Sequence, residues 1–275
     1  MKNGKFWIVG IFTLITMFAV TGCGKRSEQN AAEEVLVLSG GTMREVMEAT
    51  IARYRTVSQD KVVATYGGSA EMVSQLMNTG RGDIYVAHDP FMPWADERGL
   101  LSEWATVAYL DNTLIVQKGN PKNIHSVSDL VKPGLRVGTG DHRYSTSGVM
   151  VKQMLSLVDY GAGVHSNIIH ESKGHSERVT SIALGALDAG IVWAPVAKQS
   201  ADKVDAIPIP IDAVDAVTSA TYGLSDLRNV GLTIGLTTAG ENNTAARRFY
   251  EFVTQNCQDV FAEHGFRMER YEEEE

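Results

Sequence analysis

Residues 35–48 read VLVLSGGTMREVME, an apolar β-branched run that stops at SGGT (39–42) and changes at once to helical spacing. The run predicts a buried strand. Met43, Val46, Met47, Ile51 and Tyr54 then share one face at helical spacing, which predicts an amphipathic helix over 42–55. The two glycines permit the sharp reversal, and Thr42 stands where an N-cap belongs, with its hydroxyl and the first free N–H groups directed outward. Such a junction can seat an anion, and it contains neither a base nor a nucleophile. The design recurs: residues 61–66 (KVVATY) lead into Gly67, Gly68 and Ser69, and Met72, Val73, Leu76 and Met77 mark a second helix. Two such junctions at neighbouring strand ends aim two helix N-termini into one crevice. Strand-glycine-helix junctions also occur merely to turn the chain, so the meaning of this one depends on a second half facing it.

The rest of the chain continues the alternation, which predicts an α/β architecture with largely parallel pairing. Residues 83–87 (DIYVA) form a short buried strand followed by the turn HDP, and 107–117 is extended, with a first passage between lobes near Asp111. A strand at 135–139 runs into GDHRYSTSG (140–148), and Val151, Met154, Leu155 and Val158 define a helix beginning near Ser147, a third hydroxyl-capped start. Residues 167–170 suit a strand, 177–187 a helix, and 189–193 (AGIVW) another buried strand. The proline-punctuated stretch 207–217 is a return passage, 230–237 a strand of the first lobe, and 244–253 a closing helix. A chain that leaves one lobe and comes back makes two connections across a cleft, which is the anatomy of a hinge.

The ends are informative. Lys2 and Lys5 precede an apolar stretch over 6–20, followed by Thr21, Gly22 and Cys23. Basic residues, an apolar stretch and small residues in this order predict an export signal, and the stretch is short for a membrane span, which needs about 20 residues. The ending VTGC (20–23) resembles the bacterial lipobox, which implies lipidation of Cys23 and a membrane-anchored protein on the periplasmic or cell-surface side. Cys257 is then the one remaining cysteine, so no internal disulfide is expected. The net charge of −8, without a Lys/Arg stripe, argues against nucleic-acid binding. The expected organisation is a signal at 1–22, a tether at 23–34, lobe 1 at 35–111 and 213–268, lobe 2 at 112–212, and an acidic tail at 269–275.

With these segments in place the chain resembles the solute-binding proteins of bacterial ABC importers, and most closely their molybdate-binding branch. The motifs that carry the resemblance are the junction at Thr42, YGGS (66–69), GDIYVA (82–87), VQKGNP (116–121), DAGIVW (188–193) and FAEHGFR (261–267). The resemblance implies a two-lobed periplasmic binding protein type 2 fold, with two mixed sheets flanked by helices around a hinge cleft. In that family two hydroxyls, several backbone N–H groups and a tyrosine from the second lobe hold a tetrahedral dianion. Carried over, the hydroxyls fall on Thr42 and Ser69, backbone donors on Ser147 and near His175, and the tyrosine position on Trp193. Three departures concern the choice of anion. Trp193 offers an indole N–H, a donor only. Ser147 brings a hydroxyl where a small apolar residue is usual, and Arg143 lies in a donor-rich loop within reach of the ligand.

Donors alone suit an anion with no proton to give, such as molybdate, tungstate or sulfate, whereas a protonated phosphate wants an acceptor. The resemblance therefore implies an extracytoplasmic lipoprotein that captures molybdate or tungstate and delivers it to an ABC permease, as a monomer, without cofactor or metal. Each residue also has a plainer reading: Thr42 and Ser69 as helix caps, Trp193 as core, Arg143 as a surface ion-pair partner. His165, His170 and His175 match no metal-ligand spacing. The alternative keeps the fold but binds phosphate, sulfate, a sulfonate or an organic acid, for transport, sensing or adhesion. An exported hydrolase is disfavoured, since no G-x-S-x-G, H-E-x-x-H or G-x-x-x-x-G-K-[ST] motif is present.

Overall fold

The structure is a computed structural model, and it describes residues 33–209, 216–219, 223–226 and 228–272. The signal and Cys23, most of the tether, and much of the return passage expected at 207–217 lie outside the described residues.

Two five-stranded mixed sheets carry the fold. In the first, β1 (Glu34–Gly40), β2 (Lys61–Gly67) and β3 (Ile84–His88) are parallel, in the order β2-β1-β3. The antiparallel strand β12 (Val230–Thr237) follows, with β4 (Leu101–Leu110) at the edge. The second sheet repeats the plan: β7 (Ile168–Ser172), β6 (Val137–Gly140) and β8 (Ala189–Trp193) are parallel. There β5 (Asn112–Gln117) runs antiparallel to β8, and β9 (Val204–Pro208) closes the edge. A separate two-stranded ribbon pairs β10 (Ala216–Ser219) with β11 (Gly223–Asp226).

Side chains alternate across a strand, and the first lobe uses both faces. Val35, Val37, Ile84 and Val86 pack with α1 (Arg44–Tyr54) and α8 (Thr244–Asn256), while Leu38, Tyr85 and Ala87 pack with α2 (Ser69–Thr79) and α3 (Phe91–Asp96). Burial on both faces is why these strands read as nearly continuous apolar runs. The second lobe packs α4 (Thr146–Leu157), α5 (Gly161–Asn167), α6 (His175–Ala183) and α7 (Ala194–Gln199) around its sheet. The short α9 (Gln258–Glu263) returns to the first lobe against α1.

Several local expectations are corrected. The helix expected over 42–55 starts as a 3-10 turn, Gly41–Met43, so Thr42 sits inside that turn and makes no side-chain cap. The second helix is capped by the Gly68 backbone, whose N–H donates to Glu71 Oε2 at 3.3 Å, and Ser69 is its first residue. The third helix is capped by Ser145, whose Oγ accepts from the Gly148 N–H at 3.4 Å, and not by Ser147. Three hydroxyls in Ser145-Thr146-Ser147 compete for one cap, and spacing alone does not choose among them.

Between β4 and β5 the chain passes from one sheet to the other at Asp111. The Arg267 guanidinium holds this residue, with Nε and Nη2 each about 3.1 Å from the carboxylate. The Ala194 N–H donates to the Asp111 carbonyl at 2.8 Å, which ties the start of α7 to the same point.

Candidate functional site

Parallel strands discharge their chains at their carboxyl ends, and in both sheets those ends carry the residues singled out above. The register aligns Gly40 with Gly67, and Ser39 with Val86 two residues before the end of β3. The first lobe thus presents the Gly41–Met43 turn, the start of α2 and His88 along one edge. In the second, Gly140 pairs with Ser172 while Gly138 pairs with Gly190, so the loops leading to α4, α6 and α7 leave from one edge as well.

Ser69 is 8% exposed, and its hydroxyl has no hydrogen-bond partner among the described residues. Gly40 makes room for it: a Cβ on that glycine would stand 2.7 Å from Ser69 Oγ. Thr42 is half-buried, and its hydroxyl is likewise without a partner among the described residues. Neither oxygen is sealed from solvent, so two unpaired hydroxyls at adjacent helix starts are open to an external acceptor.

Across the cleft, Trp193 ends β8 and is 1% exposed. Its ring lies 5.9 Å from that of His88, contributed by the first lobe, and 6.1 Å from that of His175, at the start of α6. The indole N–H is unpartnered among the described residues. Trp193 is therefore a buried packing residue that stands at a strand end.

His175 is held from behind. Nη2 of Arg178 donates to its Nδ1 at 2.6 Å, and because a guanidinium can only donate, the neutral ring carries its proton on Nε2. Arg178 itself is 0% exposed. Its Nη1 donates to the Thr139 carbonyl at 3.1 Å, the Ser172 carbonyl at 3.2 Å and Ser172 Oγ at 2.7 Å, while Nε has no partner. No carboxylate forms an ion pair with it among the described residues, and burial lowers its pKa to about 10. The charge persists at neutral pH, so a cation without a counter-ion lies behind the imidazole. Burial foremost, then the charge of Arg178 and the neighbouring His88 ring, holds His175 well below the ordinary histidine range.

Two of the expected residues have side chains bonded within the second lobe. Arg143 grips Asp141 through Nε at 2.9 Å and Nη2 at 2.7 Å, and its side chain is 66% exposed. The plainer reading, a surface ion pair, describes it. The Ser147 hydroxyl is buried and donates to Asn112 Oδ1 at 2.8 Å, which braces the passage between lobes and leaves only its backbone N–H for a ligand. Asp141, His142 and Glu171 bring potential metal-ligand atoms within 4.8 Å of one another, but both oxygens of Asp141 are taken by Arg143. A cavity of about 310 Å³ opens between α7 and β9, and its Lys118 is already paired with Asp205 at 2.7 Å.

His88 and Arg178 escaped the sequence reading. His88 sits in a His-Asp-Pro turn that reads as a loop, although it closes a buried strand parallel to β1. Arg178 lies directly before Val179 and four residues before Ile182, both buried, so a charge on the apolar stripe of α6 was the available signal.

A family model described as bacterial extracellular solute-binding protein matches residues 35–267. The chain belongs to that family. The molybdate-binding protein ModA of Mycobacterium tuberculosis is 23% identical over 218 residues, covering 74% of this chain and 81% of that protein. Among solved structures, the sulfate-binding protein SubI of Mycobacterium tuberculosis superposes with a TM-score of 0.69 at 17% identity, over 86% of this chain and 87% of that one. PEB3 of Campylobacter jejuni with L-phospholactate bound gives 0.67 at 16% identity, over 85% and 99%. The two-lobed fold is common to all of these structures, and the family is one of binding proteins.

Proposed function

We propose that this solute-binding protein captures a tetrahedral oxyanion, molybdate or tungstate, between its lobes and delivers it to the permease of an ABC importer. The observation that carries the reading is the Ser69 hydroxyl, open at a helix start on a nearly buried residue and without a partner among the described residues, beside the equally unpaired Thr42. In this reading Thr42, Ser69, the Trp193 indole, the Nε2–H of His175 and the backbone N–H of Ser147 donate to the anion. Arg178 supplies a positive charge from behind His175. The relatives named for molybdate and for sulfate support an anion of this shape, and hydroxyls with helix N-termini can hold a dianion without a directly paired cation.

Closure about Asp111 would bury the anion, and the permease would read the closed shape. Cys23, lipidated, would keep the monomeric protein at the outer face of the membrane. A thermal-shift screen of oxyanions tests the reading. Molybdate and tungstate should raise the melting temperature in a saturable way. A shift with phosphate or an organic acid and none with these two would overturn the choice of anion.

A further inference from the structure

Donors dominate the cleft edge, but one group there is of the opposite kind. The Nδ1 of His88 lies 2.8 Å from the carbonyl oxygen of Asp89, and because a carbonyl only accepts, the ring proton belongs on Nδ1. Its Nε2 is then a bare lone pair. That is the reverse of His175, whose Nδ1 is the acceptor and whose Nε2 carries the proton. The two rings flank Trp193 from opposite lobes, and neither Nε2 has a hydrogen-bond partner among the described residues. A lone pair facing a site for a proton-free dianion would repel it, and the repulsion disappears when one proton is held between Nε2 and a ligand oxygen.

We propose that His88 is a ligand-contacting residue of the cleft and that capture of a proton-free dianion such as molybdate takes up one proton from solution onto His88 Nε2. This rests on the reading that the anion sits between the strand ends. Among the described residues no cation hydrogen-bonds to His88, and the Arg178 guanidinium stands behind His175. Its own strand end contributes Asp89, one of whose carboxylate oxygens accepts from the Gly231 N–H at 2.8 Å. The neighbouring β12 contributes Leu232 in register, α3 contributes Phe91, and β8 contributes neutral Trp193. From α6 come His175 and, behind it, Arg178 and Glu177. Burial holds His88 below the ordinary histidine value, so near neutral pH the free protein carries it uncharged. An anion at Nε2 reverses that balance. His175 stays neutral because Arg178 occupies its Nδ1, so the pair makes one titrating contact and one fixed donor.

The test is calorimetric titration of the full chain with molybdate, in two cationic buffers of different ionisation enthalpy, over about pH 6.5–8.5. The expected result is uptake of close to one proton and an affinity that falls about tenfold per pH unit as pH rises. His88→Gln, which places a permanent amide donor near the same point, should flatten that slope. The proton count on the unmodified chain gives the same answer if the variant does not fold. Saturable molybdate binding without proton uptake, and with a flat pH profile, would overturn this inference and leave the proposed function standing. Binding of hydrogen phosphate without proton uptake, and none of molybdate, would overturn the choice of anion while supporting His88 as an acceptor. No saturable binding of either anion would overturn both.

Discussion

Ser69 concentrates the case at the scale of single residues, because its hydroxyl has no partner among the described residues and stands open at a helix start, where a ligand oxygen can take its hydrogen bond. Ser69→Ala is expected to leave folding intact and to weaken anion binding by about 1.5–3 kcal/mol, the range for a hydrogen bond to a charged acceptor. Titration calorimetry on the variant decides this, and unchanged affinity would remove Ser69 from the site. Thr42 and Ser69 were legible from sequence because each follows a strand and glycines, a pattern that tells where a hydroxyl stands relative to a helix start. The pattern did not tell whether the hydroxyl caps the helix, and in neither case does it. The Arg143 and Ser147 side chains show the converse limit, since their partners, Asp141 and Asn112, depend on side-chain directions that spacing does not encode. His88 and Arg178 were missed because their roles come from burial and from contacts to rings distant in the chain.

Individual elements are stabilised by close approaches that tolerate little change. Gly148, in the first turn of α4, presses on the end of β6, so that a Cβ there would stand 2.4 Å from the Gly140 carbonyl oxygen. Gly148→Ala must therefore shift the start of α4, at a cost of roughly 1–3 kcal/mol for an overpacked contact, and a lowered urea midpoint would register it. Away from the cleft, Asp60 joins α1, β2 and α8: Tyr54 Oη and Ser58 Oγ donate to it at 2.8 and 2.9 Å, and Arg248 clasps it through Nε at 3.0 Å and Nη2 at 2.8 Å. The Arg248 hydrogen bonds, foremost, depress its pKa from 3.8 to about 2. A depressed carboxylate stabilises the fold fully above its unfolded value and loses that contribution as pH falls through the folded one. Urea midpoints should therefore drop between about pH 4 and pH 2, and Asp60→Asn should show a smaller drop over that window; an equal drop would exclude Asp60 as a source. At this scale the sequence was read most successfully. The buried strands 189–193 and 230–237 match β8 and β12, since short apolar runs between helical stretches leave few other choices. The short helices α5, α7 and α9 carry too few residues for a periodicity and went unread.

The two five-stranded sheets of the described residues follow one plan, three parallel strands backed by an antiparallel one, with the chain passing between them at Asp111. That Arg267, near the chain's end, holds Asp111 means the last turn of the fold secures the point about which closure would occur. The two-lobed architecture was legible because strand-to-helix junctions of one design occur in both halves, and because a first-lobe strand follows the second lobe. The contact of His88 with Trp193 was not, since it depends on how the lobes face each other. Anion capture at the strand ends is tested most directly by calorimetric titration of the chain with molybdate near neutral pH. Saturable one-to-one binding that Ser69→Ala weakens by tenfold or more is the expected result. Absence of saturable binding, or binding that Ser69→Ala leaves untouched, would contradict it.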